Sequence, residues 1–318
     1  MLHQITHGAR ALLCWLALGG LAPAALACTM NETGGNLGSV TTFRVKSGAA
    51  ITSSANFAAG CSGVVLSALG TPAITATIQP SVTGLTLKNG ANAIPYQVYS
   101  NAGMSTSYTG GLVVVNLSGT NLLTVLGGSG LNVPIFISTA PGANVPAGTY
   151  TDTLQVTWNY QNICEGLLGV LGACVGVSTN ASVTRSLLVT LTVSNDCTIT
   201  APPVSFGSAP LVSGFPTVSQ NISLLCSKNM TYTVGLSAGN NFASGRRQMA
   251  SGSNRLSYDI YKADNTVWGS LTTARANGPA PSDGSTVQTI PYTARVYQDQ
   301  ATPAAAVYTD SVVVDVSF

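Results

Sequence analysis

Charge is scarce in this chain. Lys, Arg, Asp and Glu make up 7% of its 318 residues, with twelve cations against ten acids. So even a balance gives no electrostatic case for binding nucleic acid or an anionic lipid surface. Histidine is scarcer still: His3 and His7 both lie ahead of residue 28, so a chain processed there lacks the commonest metal ligand and general base. Sustained helical periodicity is missing too, and the abundance of Gly, Ser, Thr, Asn and Val suits strands and turns. GGSG at Gly127 to Gly130 has no following Lys-Ser/Thr and is no phosphate loop. Arg246-Arg247 reads as a solvated pair of loop cations. Nothing here supports catalysis, and no cofactor or metal is expected.

What is present starts with Arg10, which introduces the apolar run ALLCWLALGGLAPAALA ending on Ala25-Leu26-Ala27. The run is short for a membrane span and Pro23 interrupts it. Residues 1–27 are therefore expected to be a secretory signal peptide cut before Cys28. Six cysteines follow: Cys28, Cys61, Cys164, Cys174, Cys197 and Cys226. An even set in an exported chain implies disulfides.

The stretch SVVVDVSF, Ser311 to Phe318, sets Val312, Val314, Val316 and Phe318 on one side of a period of two, as in a strand with one buried face. Tyr308-Thr309-Asp310 opens it, and Tyr150-Thr151-Asp152 opens TLQVTW in the same way. Other markers also occur twice in the same order. Cys28 with Cys61 matches Cys197 with Cys226; IPYQVYSN, Ile94 to Asn101, matches LSYDIYKADN, Leu256 to Asn265; VPIFIS from Val133 matches IPYTARVY from Ile290. The chain thus reads as two copies of one β-sandwich domain, 28–193 and 194–318. Each early cysteine pair is expected to close within its copy. The junction Ser194 to Cys197 is too short to leave the sandwiches much freedom. Asp152 and Asp310 recur, but an Asp after a Tyr at a strand start reads as an acceptor of local turn hydrogen bonds.

The copies differ by two apolar insertions in the first: TNLLTVLGGSGLN, Thr120 to Asn132, and CEGLLGVLGAC, Cys164 to Cys174. A Cys164–Cys174 link would close the second into a compact finger and favour it by roughly 2 to 3 kcal/mol on the loop-entropy model. The leucines either fold back as ordinary core, each contributing roughly 1.5 to 3 kcal/mol, or stand out as a contact surface. On the second reading Leu122, Leu123, Val125 and Leu126 form one binding finger, and Leu167, Leu168, Val170 and Leu171 form the other.

The early Cys pair, the paired tyrosines Tyr258 and Tyr261 with Asn265, Trp268-Gly269 and the closing Tyr308-Thr309-Asp310 strand resemble the spore coat protein U domain family. The first copy resembles it at both ends and departs in the middle, with no Trp-Gly after its tyrosines. The resemblance implies an all-β fold of two tandem immunoglobulin-like, pilin-type sandwiches, the C-terminal one lacking a strand. It further implies a subunit of archaic chaperone–usher pili, in which an N-terminal extension of the next subunit fills that gap. With cleavage at Ala27, Cys28 would enter the first disulfide directly and leave no donor extension, so the chain is expected to end the fibre. On this reading it is a tip adhesin, exported through the periplasm to the cell surface, attaching to hydrophobic surfaces in biofilms. Its partners would be a periplasmic pilus chaperone, an outer-membrane usher and the adjacent pilin, with Val312, Val314, Val316 and Phe318 as the acceptor edge. Two other readings stand beside it: a shaft or coat subunit without adhesive role, and a carbohydrate-binding lectin using Tyr108, Trp158 and Tyr160.

Overall fold

The computed structural model describes residues 28–47, 50–61, 64–65, 72–79, 84–108, 112–118, 131–168 and 174–318. The first part holds β1 (Cys28–Gly34), β2 (Asn36–Thr41), α1 (Thr42–Lys46), β3 (Thr52–Cys61), β4 (Val64–Val65), β5 (Ala73–Gln79), β6 (Thr86–Asn89), β7 (Asn92–Tyr99), β8 (Ser107–Tyr108), β9 (Leu112–Ser118), β10 (Leu131–Thr139), β11 (Gly148–Leu168) and β12 (Cys174–Ser194). The second holds β13 (Cys197–Thr200), β14 (Val218–Cys226), β15 (Thr233–Leu236), β16 (Arg247–Ser251), β17 (Asn254–Lys262), β18 (Ala276–Asn277), β19 (Gln288–Val296) and β20 (Val314–Ser317). The signal-peptide expectation falls outside the described residues.

Alternation decides which face of each strand turns inward. In β5, Ile74, Ala76 and Ile78 are buried, while Thr75 and Thr77 between them are only partly covered. The same period buries Ile94, Tyr96 and Val98 of β7 and Ile290, Tyr292, Ala294 and Val296 of β19. Burying each large side chain contributes roughly 1.5 to 3 kcal/mol. The buried residues form two separate cores, one from Met30 to Val193 and one from Phe206 to Val296.

Each core lies between two layers of strands. In the second domain these are the sheets β13-β14-β19-β17-β16 and β18-β15-β20. In the first, β1-β3-β10-β7-β6 corresponds to the five-stranded sheet and β9-β5-β11 continues into β12 and β2, the two layers being joined where Lys88 of β6 pairs with Thr151 of β11. Both domains pin the entry of the Tyr-Thr-Asp strand with a tyrosine corner, the Tyr hydroxyl bonding backbone a few residues upstream. Tyr150 donates to the carbonyl of Pro146 at 2.7 Å, and Tyr308 to that of Ala304 at 2.7 Å.

The Cys197–Cys226 disulfide joins β13 to β14, with the two residues directly opposite in the ladder. On the backbone, Cys28 stands opposite Cys61 in the same manner. The second insertion is a different matter. β11 and β12 are 21 residues each and form one long hairpin, in which Cys164 faces Ser178 and Cys174 faces Leu168. Four residue steps, ~13 Å along the strand, separate the two cysteines, about twice the reach of a disulfide. The expected finger closed by a Cys164–Cys174 link is therefore replaced by an extended ladder.

The sandwiches touch around a short junction. Thr42 at the start of α1 shares a buried 2.6 Å hydrogen bond with Ser227. Lys46 donates to the carbonyl of Gly284 at 2.5 Å and to Ser285 at 3.0 Å, and Asn144 donates to the carbonyl of Asp283 at 3.0 Å and to Ser285 at 3.1 Å. Gly284 sits at φ +76°, where a Cβ would press on Asn144 and Lys228.

Candidate functional site

β20 is bonded on one edge only. It runs antiparallel to β15, with Val314 opposite Leu236 and Val316 opposite Val234. The amide of Ser237 continues that ladder to the carbonyl of Val313. Since bonding alternates along an antiparallel strand, the backbone groups of Val312, Val314 and Val316 point away from β15, and no strand of the described residues lies on that side. Their side chains turn inward and pack, partly buried, on the second core.

Across from this edge the chain from Ala201 to Phe206 lines the cleft and belongs to no strand. Between the two walls lies a cleft of about 400 Å³ floored by Ile222, Leu236, Met249, Tyr258, Ile260 and Tyr292. The cleft thus pairs an apolar floor with an unbonded strand edge, the combination that accepts an alternating apolar strand by β-augmentation. At one end Asp310 accepts from the hydroxyl of Tyr258 at 2.8 Å and from the amide of Asn240 at 2.9 Å. Gly239 allows this approach, because a Cβ there would collide with the carboxylate. Burial, then the bond and charge of Asp310, push the Tyr258 hydroxyl well above the usual tyrosine value.

The first domain shows the same place filled. Its β11 carries Asp152, buried and accepting from Tyr96 at 2.9 Å, as Asp310 does from Tyr258. Both aspartates therefore hold a tyrosine from the opposite layer of strands, beyond the local turn bonding expected of them, although Asp152 also accepts from the amide of Thr153. Beside β11 lies β12, antiparallel to it and parallel to β2. Leu187, Val189, Leu191 and Val193 of β12 are buried in the first core.

The other expected site residues fall as follows. Val312, Val314 and Val316 line or flank the cleft, whereas Phe318 is exposed beyond the ladder and borders a separate depression with Tyr232 and Gly278. Leu122, Leu123, Val125, Leu126, Val170 and Leu171 lie outside the described residues. Leu167 and Leu168 belong to the β11 backbone, opposite Val175 and Cys174, with side chains outside the description. Val175, which the sequence reading passed over, is 59% exposed. Trp158 and Tyr160 are buried in the core, where they cannot stack on a sugar, and Tyr108 packs partly buried against it. This removes the basis for the lectin reading. Arg247 is likewise no solvated loop cation: it is buried, pairs with Asp259 at 2.8 Å and donates to the carbonyls of Leu236, Ser237 and Trp268. The Ala201–Phe206 wall carried no signal in the sequence, because its Pro-rich run alternates too weakly to read as a strand.

The fold resembles that in the crystal structure of the CsuC–CsuE chaperone–tip adhesion subunit pre-assembly complex from archaic chaperone–usher Csu pili of Acinetobacter baumannii. Identity is 22%, the TM-score is 0.55, and the match covers 92% of this chain and 100% of that one. The CupB6 tip adhesin of Pseudomonas aeruginosa matches with 11% identity and a TM-score of 0.39, covering 92% of this chain and 94% of that one. No curated protein matches the chain in sequence. The Spore Coat Protein U domain profile matches it twice, over residues 19–157 and 183–315, so the chain belongs to the spore coat protein U domain family.

Proposed function

We propose that the chain is the tip adhesin subunit of an archaic chaperone–usher pilus. Its second domain accepts the donor strand of the adjacent pilin, and its first domain contacts a hydrophobic surface and so supports biofilm formation. The observation that carries this reading is the contrast between a groove filled by β12 in one domain and left open between Ala201–Phe206 and Tyr308–Val314 in the other. A periplasmic chaperone covers the open edge before assembly and the outer-membrane usher exchanges it for the pilin strand, placing the first domain foremost on the cell surface. Apolar contact there comes from the long β11–β12 hairpin, where Val175 is exposed and Leu167, Leu168, Val170 and Leu171 cluster in sequence. Removing nonpolar area from water grips weakly at one tip and firmly across many pili.

Immunogold labelling of the full chain on piliated cells tests the position. One particle at each fibre end is expected, and labelling along the length would make it a shaft subunit. Replacing Leu168 and Leu171 by Ser tests the surface. Attachment to plastic should fall while piliation persists, and unchanged attachment would move the adhesive role elsewhere.

A further inference from the structure

The two family matches do not divide the chain where its two cores divide. The first ends at residue 157 and the second at 315, the same position counted from Tyr150-Thr151-Asp152 and Tyr308-Thr309-Asp310. A unit of this family therefore finishes inside that strand. Each match also begins ahead of its first cysteine, at 19 for Cys28 and at 183 for Cys197. Residues 183–194 accordingly lie outside the first unit and form the leader of the second. In the fold that leader is the last stretch of β12, packed in the core of the first sandwich.

We infer that the first domain is itself a strand acceptor, completed within the chain by the leader of the second unit. The leader has the form such a groove takes. Leu187, Val189, Leu191 and Val193 face the core, while Ser186, Leu188 and Thr192 face out. It runs antiparallel to β11, with Val189 opposite Asp152 and Leu187 opposite Leu154. On its other edge it runs parallel to β2, Thr190 pairing with Asn36 and Val193 with Val40. Only Asn195 and Asp196 separate it from β13, so the strand that closes the first sandwich is also the tether to the second. A leader consumed in this way is not on offer to a neighbouring subunit. That consequence agrees with the tip position, but the inference rests on the first domain and the family boundaries alone.

The test uses the full chain with a protease site inserted between Asn180 and Ala181. There the β11–β12 ladder is irregular and Asn180 is exposed. After cleavage the two pieces should stay together in native buffer, joined through residues 182–194 and the contacts around the domain junction. Denaturation and refolding with excess tagged peptide of sequence 182–194 should leave the tag on the upstream piece and release the downstream one. The same peptide with Leu187→Asp and Leu191→Asp should not be taken up. An upstream piece that refolds to a soluble, cooperative state without any strand would overturn the inference, as would one that carries no tag. Neither outcome bears on capture of a strand by the second domain, so failure here and failure of the tip assignment are read separately.

Discussion

The two sandwiches share a tyrosine corner, a Tyr–Asp bond between strand layers and two cysteines opposite each other in the ladder, on β1 and β3 in one and on β13 and β14 in the other. They part at one edge, where the first has β12 and β2 and the second has an open cleft. What holds the shorter sheet in place differs accordingly. In the first domain, hydrogen bonding and apolar packing continue from β11 through β12 to β2. In the second, β15 and β20 are held by directional bonds. Arg247 reaches the carbonyls of Leu236 and Ser237, Trp268 donates to that of Val234 at 2.8 Å, and Arg275 joins Thr233 to Asp315. Gln97, the position in the first domain that answers Asp259, is exposed and carries no such network. The sheet with an open edge thus uses polar anchors where the other sheet uses a strand.

The sharpest way to break the comparison is to place one carboxylate in each edge. Leu191→Asp removes a fully buried aliphatic and buries a charge, a cost on the order of 4 kcal/mol or more, so the first domain should unfold. Val314→Asp, on the half-covered wall of the cleft, should cost only about 1 kcal/mol while abolishing the strand capture proposed for the second domain. Trp158 and Trp268 are buried one in each core, so tryptophan fluorescence during denaturation reports one domain at a time in backgrounds carrying Trp268→Phe or Trp158→Phe. Loss of both transitions in the Leu191 variant would show that the domains do not fold independently.

Next in size is the anchor itself. Asp259→Ala leaves the Arg247 guanidinium buried without its counter-ion and should cost the second domain roughly 3 to 5 kcal/mol. Gln97→Ala in the first should stay within about 0.5 kcal/mol. Equal effects would mean that the ion pair is not what the second sheet depends on.

Particular residues explain what the sequence disclosed. Alternation placed the strands, and the doubled Tyr-Thr-Asp marked the duplication, because both are local patterns. The inward turn of Val312, Val314 and Val316 was legible for the same reason. Phe318 was not, since the period continues through it while the ladder stops at Ser317. The role of β12 was hidden as well: TRSLLVTLTVS alternates like any strand, and only pairing with β2, far away in sequence, reveals the groove it fills. Asp310 and Arg247 take their partners from distant parts of the chain, which local spacing does not show, and Asp152 adds the distant Tyr96 to the local bond expected of it. Trp158 and Tyr160 suggested sugar stacking until the fold buried them.

The Tyr–Asp bonds allow a finer test. Tyr96→Phe and Tyr258→Phe should each cost about 1 to 2 kcal/mol, with the larger loss in the first domain, where Asp152 is more deeply covered. The hydroxyls also set an alkaline limit. Burial, followed by the neighbouring aspartate, raises both above the ordinary tyrosine value. Because the folded values are raised, their contribution is complete below about pH 10, the unfolded tyrosine value, and is lost as pH climbs beyond it. Chemical denaturation at pH 8 and pH 11 should show both domains weakening at the higher pH, and each Phe variant should blunt the change in its own domain.

The smallest effect concerns how the two sandwiches are held together. Asp283 caps the turn that offers its own carbonyl to Asn144 and that of Gly284 to Lys46. The Thr286 hydroxyl, then the amides of Thr286 and Ser285, draw its carboxyl down to about 2. A lowered folded value means that the ionised form supports the turn above the unfolded value of about 4, with that support lost as pH falls towards 2. The carboxylate is on the surface, so neither domain should unfold on this account. The expected change is geometric: spin labels on the two domains should show a single narrow distance at pH 5 that broadens below pH 3. Asp283→Asn should remove this acid dependence. A distance that stays narrow at low pH in the native chain would place the restraint in the buried Thr42–Ser227 bond, which carries no charge to titrate.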